Sequence, residues 1–221
     1  MKENSSVRQS PAPSAKGERS REAILTAAAS LATTHGLHGL SIGDLAAHVN
    51  MSKSGLYAHF KSKEELELAT IDAASEIFER EVLAPAASAP PGVRRLRALT
   101  ASFLDHLARQ VFPGGCFFAA VAAELDTRPG PTRDRVAQVI NDWMAMLTQC
   151  LQDAKESGEI DAKADVPQAA FEANAMLTAA NFMFVMSNDP APLARARTAI
   201  DGLLARLSRT GTAGGKRSGR S

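Results

Sequence analysis

Apolar residues recur along most of this chain at intervals of three and four, which is the period of helices that pack on one face. One such set, at i, i+3, i+4 and i+7, consists of Ile42, Leu45, Ala46 and Val49. A second short helix would turn Leu56 and Phe60, which lie four residues apart, toward the same core. Alternation with the period of a strand is nearly absent, so the sequence predicts an all-α fold.

Capping residues and chain breaks set the expected bounds of the helices. Ser41, Ser52 and Ser62 can each N-cap a helix, and Ser62 with Glu65 forms a capping box. Breaks are expected where proline and glycine cluster, at 84–91, 113–115 and 128–131. Helices are expected over about 18–34, from Ser41, from Ser52, from Ser62 to about 82, and over about 92–110, 116–125, 132–157, 165–187 and 193–207. The helix from Ser62 is long enough to leave the N-terminal helices and join them to the rest of the chain.

The second short helix presents small, polar and basic groups on the face opposite Leu56. The chain of 221 residues has a net charge of only +1, so any affinity for DNA must come from a local patch. Such a patch is formed by His48, Lys53, His59, Lys61 and Lys63. A helix with a packed back and a polar, basic front suits the major groove of DNA.

The candidate DNA contacts are Ser41, Ser52, Lys53, Ser54, Gly55, Tyr57, His59 and Lys63. Lys53 and Ser54 are best placed to reach base edges, because lysine can meet guanine O6 and N7. Lys63 lies beside exposed backbone N–H groups and suits a phosphate. Gly55 would allow a close approach of the backbone to DNA, or would serve only helix packing. His59 would meet a phosphate or face solvent.

Three sequence motifs occur here in the order and spacing of a known DNA-binding domain. They are RxxILxAAxxL from Arg21 to Leu31, GLHGLSIGDLA from Gly36 to Ala46, and SKSGLYAHFKSKEEL from Ser52 to Leu66. Together they resemble the DNA-binding domain of the TetR-type one-component repressors. The resemblance implies a homodimer that binds a palindromic operator in double-stranded DNA and is released by a small-molecule effector. It also implies that Tyr57 touches the DNA backbone.

The chain divides accordingly into four expected parts. These are a polar arm at 1–17, a three-helix helix-turn-helix DNA-binding domain at 18–64, a larger helical effector-binding and dimerisation domain at 65–208, and a basic Gly/Ser tail at 209–221. We expect both the arm and the tail to be disordered, because neither contains enough apolar residues to form a core.

Candidate residues for an effector pocket are the aromatic and large apolar positions between the long linking helix and the C-terminal helices. They are Phe78, Phe103, Leu107, Phe117, Phe118, Trp143, Met144 and Leu147, with His106, Glu124 and Asp126 as polar candidates nearby. Ligand pockets are mostly apolar with few polar groups. Aromatic and large apolar residues at helical spacing also occur in ordinary hydrophobic cores. We therefore expect the set as a whole to form a pocket, without assigning each residue to it.

The last two helices carry the expected dimer interface. Apolar positions of the last helix are spaced by three and four in turn, as in a coiled coil, and the helix before it is apolar nearly all round. The candidate interface residues are Met176, Ala180, Met183, Leu193, Ala196, Ile200, Leu203 and Leu207. Two such helices from each subunit would form a four-helix bundle. The alternative is that both helices pack only on their own domain.

Other classes of protein are poorly supported by the sequence. Cys116 and Cys150 are too few for a disulfide framework and are expected to be reduced thiols of a cytoplasmic protein. Neither a signal peptide nor an apolar run near the roughly 20 residues of a membrane span is expected. Cys116 with His106 forms no known catalytic signature, and His35 with His38 lacks further metal ligands, so we expect no enzyme, metal or cofactor. A thiol sensor at Cys116, or a nucleoid or division role on DNA, stays open.

Overall fold

The computed structural model describes residues 15–209, and every regular element in that range is helical. The helices are α1 (Ala15–His35), α2 (Ile42–His48), α3 (Lys53–Tyr57), α4 (Lys63–Phe78), α5 (Ala84–Ala87), α6 (Val93–Ala108), α7 (Phe117–Leu125), α8 (Pro131–Glu156), α9 (Val166–Ser187) and α10 (Ala191–Arg209). The predicted all-α fold, with a three-helix N-terminal domain and a larger helical domain, is confirmed. Residues 1–14 and 210–221, which hold most of the predicted arm and tail, lie outside the described residues.

The three predicted N-caps form as expected. Ser41 and Ser52 each accept a hydrogen bond from the backbone N–H three residues on, at 3.0 and 3.1 Å. Ser62 caps α4 by accepting from the N–H of Glu65 at 3.0 Å. The carboxylate of Glu65 reaches back to the N–H of Lys61 at 2.9 Å, one residue before the cap. These bonds satisfy N–H groups that the first helical turn leaves unpaired.

The linking helix extends beyond the predicted bound. A π-helical turn at Glu79–Leu83 continues α4 directly into α5, so the break expected over 84–91 begins only after Ala87. Pro85 does not end the helix. It lies at the start of α5, directly after the π-helical turn, and the chain stays helical through Ala87. From Lys63 to Phe78 the 16 residues of α4 span about 24 Å.

A single core runs through both domains. In the N-terminal domain, Ile24, Leu45, Leu56 and Phe60 are at most 2% exposed. Helix α1 packs against both α4 and α7, while α9 lies between α8 and α10 in the larger domain. The N-terminal domain is therefore held against the larger one by α4 and by the contact of α1 with α7.

The apolar face of α10 differs from expectation. Leu193, Ala196, Ile200 and Leu203 are at most 7% exposed within a single chain, because α10 packs on α9 and α6 of the same chain. Ala180 on α9 is equally buried. Of the other candidate interface residues, Met176 and Leu207 are half-buried and Met183 is exposed. The coiled-coil-like spacing of α10 thus reflects packing within one chain.

Helix α9 also meets the length and hydropathy of a membrane span, with 22 residues and a mean hydropathy of 1.2 over its most apolar window. This departs from the expectation that no apolar run approaches that length. The helix is a core element here, since Ala169, Ala173, Leu177 and Phe184 pack inside the larger domain. Core helices of this kind meet the same criteria, so its composition is weak evidence for a membrane.

One buried histidine makes stability depend on pH. His106 is 1% exposed, packs edge-on against Phe78 and Phe112, and has an Nδ1 atom without a hydrogen-bond partner. Burial, opposed in part by the charge of Glu81, lowers the pKa of His106 to about 4. Between that value and the ordinary pKa of about 6.5, the unfolded chain binds a proton that the folded chain excludes.

We expect the free energy of unfolding to fall as the pH drops from about 6.5 to 4, by on the order of 3 kcal/mol from His106 alone. His106→Phe should flatten this dependence, because phenylalanine keeps the ring contacts and cannot bind a proton. Urea denaturation at pH 7.5 and pH 5 would measure it. His48→Ala, at an exposed position of α2, is the control and should keep the wild-type dependence. An equally steep dependence in His106→Phe would contradict the assignment.

Candidate DNA-binding surface and ligand cavity

The turn between α2 and α3 has the geometry that the sequence predicts. Asn50 adopts a left-handed conformation with φ 54°, which asparagine tolerates better than most residues. The N–H of Met51 donates to the carbonyl of Ala46 at 2.8 Å and closes the end of α2. The chain then enters α3 at the Ser52 cap, so α2 and α3 form a compact helix-turn-helix.

Helix α3 separates a buried side from an exposed one. Leu56 is 1% exposed, whereas the Tyr57 side chain is 56% exposed. Lys53 and Ser54 are also exposed, and Gly55 is half-buried. The exposed Tyr57 can supply both an apolar body and a phenolic O–H to a partner.

Arg21 of α1 holds the end of this helix in place. Its guanidinium donates to the backbone carbonyl of His59 at 2.7 Å and lies 4.4 Å from the centre of the Phe60 ring. In the sequence Arg21 stands out only as part of a motif, because a contact between residues 38 positions apart leaves no periodic signal. His59 itself is half-buried, with its backbone used in this contact.

A concave notch lies between the start of α2, helix α3 and the start of α4. It is lined by Leu40, Ser41, Ile42, Gly43, Asp44, Lys53, Tyr57 and Lys63. Four of the predicted DNA contacts are thus brought together here, while Ser52, Ser54 and Gly55 lie in the adjacent first turn of α3. The Ser41 hydroxyl donates to the Asp44 carboxylate at 2.6 Å. This hydrogen bond gives the acid a partner within the notch.

Lys63 contacts both the notch and the interior. Its ammonium donates to the carbonyl of His38 and lies 3.8 Å from the Glu67 carboxylate, yet its side chain is 48% exposed. The ring of His38 in turn lies 3.0 Å from the same Glu67 oxygen. Lys63 is therefore held in a defined position, with part of its surface facing the notch.

A carboxylate of the larger domain binds the loop that precedes α2. Glu124 on α7 accepts hydrogen bonds from the N–H groups of Leu37 and His38 at 2.6 and 3.0 Å. Gly36 has a φ of +80°, and a Cβ there would lie 2.9 Å from the Glu124 carboxylate, so glycine fits both the backbone and the space. Glu124 was expected near the effector pocket as a polar candidate, but in the structure it joins the two domains.

A second contact between the domains lies close by. The N–H of Gly114 donates to the Thr33 hydroxyl at 3.0 Å, and a Cβ on Gly114 would meet the Thr33 carbonyl at 2.0 Å. Only glycine permits this approach of the α6–α7 loop to the end of α1. The same loop leads into Cys116, whose N–H donates to Asn181 on α9 at 2.9 Å.

The larger domain contains a partly open cavity of about 280 Å³. It is lined by Phe78, Phe103, Cys116, Phe118, Ala119, Ala122, Val139, Ile140, Trp143, Asn174, Thr178 and Asn181. Four predicted pocket residues are among them: Phe78, Phe103, Phe118 and Trp143. The ring of Phe78 meets those of Phe118 and Trp143 edge-on, with centres 5.9 and 5.5 Å apart.

The other four predicted pocket residues do not line this cavity. Leu107, Phe117 and Leu147 are at most 1% exposed and pack in the surrounding core, and Met144 is half-buried on α8. None of His106, Glu124 and Asp126 lines the cavity either. Its polar groups come instead from α9. They are Asn174, Thr178 and Asn181, which are isolated polar positions in a helix of mostly apolar composition.

Both cysteines are free and buried. Burial raises the pKa of the Cys116 thiol, which keeps it protonated and weakly nucleophilic at neutral pH. Among residues 15–209, no group of three or more His, Cys, Asp or Glu is arranged to hold a metal ion.

The fold and the surface on α2 and α3 define a helix-turn-helix DNA-binding protein with a ligand-sized cavity. Residues 24–70 match the family described as bacterial regulatory proteins, tetR family, and residues 92–200 match the tetracyclin repressor-like C-terminal domain. The chain belongs to the TetR family of transcriptional regulators.

Individual relatives support this assignment. The transcriptional regulator AcuR from Cereibacter sphaeroides is 26% identical over 64% of this chain and 64% of its own length. The HTH-type transcriptional repressor DhaR from Mycobacterium sp. (strain GP1) is 26% identical over 57% of this chain and 62% of its own length. The chain therefore matches less than two thirds of each of these curated relatives.

Solved structures match over nearly their whole length. A TetR transcriptional regulator from Chloroflexus aurantiacus J-10-FL is 29% identical to this chain, with a TM-score of 0.79. The match covers 88% of this chain and 96% of the solved chain. AibR, solved in complex with isovaleryl coenzyme A and operator DNA, is 25% identical over 85% of this chain and 97% of that chain, with a TM-score of 0.66.

Proposed function

We propose that this chain is a homodimeric repressor that binds a palindromic operator in the cytoplasm and is released from it by a small molecule. The observation that carries this proposal is the Glu124 contact, because Glu124 lies on α7, the helix that also lines the cavity. AibR, which is similar in fold, was solved with both a ligand and operator DNA, and DhaR is named as a repressor.

The notch and the first turn of α3 form the proposed DNA-reading surface. Lys53 and Ser54 are exposed at the start of α3, where side chains can reach base edges in the major groove. Tyr57 and Lys63 line the notch beside Ser41 and suit backbone phosphates. This division assigns sequence preference to Lys53 and Ser54, and overall affinity to Tyr57 and Lys63.

We expect Tyr57→Phe and Lys63→Ala to weaken binding to all DNA sequences alike. Lys53→Ala should cost about 1–3 kcal/mol on the operator and also relax sequence preference. Fluorescence anisotropy on the DNA flanking the gene, against scrambled DNA at several salt concentrations, would measure both effects. Arg195→Ala, at an exposed position of α10, should leave binding unchanged.

Two outcomes of that measurement would contradict the proposal. If all three variants bound the operator as tightly as the wild type, the assignment of this surface to DNA contact would be wrong. Equal, steeply salt-dependent binding to flanking and scrambled DNA would favour a general nucleoid or division role instead.

The exposed face of α9 is the proposed dimer interface, with a second copy of the chain as its partner. Apart from Tyr57, the exposed large hydrophobic residues of the described chain all lie on this helix. They are Phe171, Phe182, Met183, Val185 and Met186. Several large apolar side chains exposed on one helix are a common mark of association. A two-fold dimer also supplies two recognition helices for the two halves of a palindrome.

We expect Phe182→Glu to convert the protein to a monomer, because it places a charge in the centre of the apolar face. Light scattering coupled to size-exclusion chromatography would show the change in mass, and affinity for the operator should fall with it. Ala162→Glu, an exposed position before α9, adds the same charge away from this face and should remain dimeric. A dimeric Phe182→Glu protein would place the interface elsewhere.

A route from the cavity to the DNA-reading surface runs through two links. Phe118, Ala119 and Ala122 line the cavity on α7, and Glu124 on the same helix binds the loop before α2. The next residue of the route is His38, whose carbonyl accepts from Lys63 in the notch. A ligand that shifts α7 would therefore move the support of the loop and of Lys63, and would favour a state with lower DNA affinity.

Breaking the Glu124 contact should lower operator affinity without a ligand. Glu124→Gln places an amide that has one acceptor against two backbone donors, so we expect a loss of about 5-fold or more, within the usual range of coupling between sites. The anisotropy assay above would measure it. Asp126→Asn, an exposed acid two residues further on, is the matched control and should bind as the wild type does. Equal affinities for both variants would show that this contact does not position the DNA-binding domain.

A thiol-sensing role for Cys116 is less well supported. The residue is 5% exposed, and burial raises the pKa of its thiol, whereas sensor thiols are accessible and have a lowered pKa. The cavity supports reversible binding of a small molecule better than it supports chemistry at this thiol.

A further inference from the structure

The lining of the cavity restricts the charge of its ligand. None of the described residues that line it is Asp, Glu, Lys, Arg or His. An ionised group that entered would lose its hydration without gaining an opposite charge, which costs several kcal/mol. The isovaleryl coenzyme A bound to AibR carries phosphates, for which this lining offers no basic partner.

Two amide side chains give the cavity a defined polarity. Asn174 Oδ1 accepts from the indole N–H of Trp143 at 3.0 Å, and Asn181 Oδ1 accepts from the N–H of Cys116 at 2.9 Å. Both partners can only donate, so they fix which end of each amide is oxygen. No described residue forms a hydrogen bond with either Nδ2 group, and Asn181 is 7% exposed. The amides therefore offer unpaired N–H donors to an occupant of the cavity.

The remaining wall is aromatic. Phe103 stacks on Trp143 with ring centres 5.9 Å apart, and Phe78 meets both of them edge-on. Such walls favour flat, apolar groups. The volume of about 280 Å³ lies at the small end of ligand pockets, which span about 300–1,000 Å³, so the occupant has one or two rings.

We infer that the effector of this chain is an uncharged, flat and largely apolar molecule that carries a hydrogen-bond acceptor, such as a ketone, ester or nitro oxygen, facing Asn174 and Asn181. This inference rests on the proposed function for its regulatory meaning, but the binding itself can be tested without DNA. Thr178 is exposed and lines the cavity, so it marks the opening toward the surface of α9.

The test compares three probes of one shape: acetophenone, ethylbenzene and benzoate. They are titrated into the full chain at pH 7.5 by isothermal calorimetry. We expect acetophenone to bind most tightly, about 5- to 10-fold above ethylbenzene, which corresponds to one net hydrogen bond. Benzoate, ionised at this pH, should bind more weakly than either. Tighter binding of benzoate, equal binding of acetophenone and ethylbenzene, or binding of none of the three would overturn the inference.

Amide variants locate the acceptor contact. Asn181→Asp and Asn174→Asp keep an oxygen for the Cys116 and Trp143 donors and remove the Nδ2 donors, so the preference for acetophenone over ethylbenzene should disappear. Asn141→Asp, the same change at an exposed position of α8, should keep it. Circular dichroism identifies a variant that fails to fold. In that case the probe preference of the other amide variant tests the inference. A preference that persists in the folded variants would refute the role of the amides.

The same samples separate this inference from the proposed function. Acetophenone is added to the complex with flanking DNA in the anisotropy assay. Selective binding of acetophenone without loss of DNA affinity supports the ligand class and refutes release by the ligand. Specific DNA binding by a chain that shows no acetophenone preference supports a regulator and refutes the ligand class.

Discussion

The carboxylate of Glu124 is the polar contact on which the relation between the two domains depends. It accepts two consecutive backbone N–H groups at the point where the chain leaves α1 and turns toward α2. These N–H groups follow a helix end and have no helical partner, so the acid from α7 replaces water. The glycines at 36 and 114 make the approach possible, since a Cβ at either place would collide with the opposite domain. In addition to the shared apolar core, a few polar groups with strict geometry thus hold the DNA-reading helices against the larger domain.

Helix α9 serves both of the proposed binding events. Its inner face supplies Asn174 and Asn181 to the cavity, and its outer face carries Phe171, Phe182 and Met186 into solvent. The two sets lie on one rigid element, so an occupant that rotates α9 also changes the surface offered to a second subunit. In the proposed dimer, occupation of the cavity would therefore alter the spacing of the two DNA-reading surfaces as well as the support of each one.

Local chemistry explains what the sequence predicts well. Ser41, Ser52 and Ser62 cap their helices because a short side-chain oxygen there satisfies an N–H group whatever the rest of the fold does. Aromatic residues on four different helices likewise converge on one cavity, among them Phe78 on α4 and Trp143 on α8. Both predictions depend on residue type and on spacing within one helix.

Contacts between distant segments explain what the sequence missed. The partners Glu124 and Leu37 lie 87 residues apart, and Arg21 lies 38 residues from the carbonyl it binds. The spacing of apolar residues in α10 gives the period of a packed face without naming what packs on it, so Leu193 and Ile200 fit a subunit interface and an internal core equally well. Asn174 and Asn181 are polar positions in a helix that otherwise has the composition of a core, and only the fold shows that they face a cavity.

The position of Trp143 gives the protein an optical property of its own. It is the single tryptophan of the chain, it lines the cavity, and its indole N–H is bound to Asn174. The near-ultraviolet emission of the whole protein therefore arises chiefly from one indole, whose surroundings change when the cavity is filled. The chain thus carries an intrinsic chromophore on the wall of its cavity, and its emission would report occupancy by a ligand without any label.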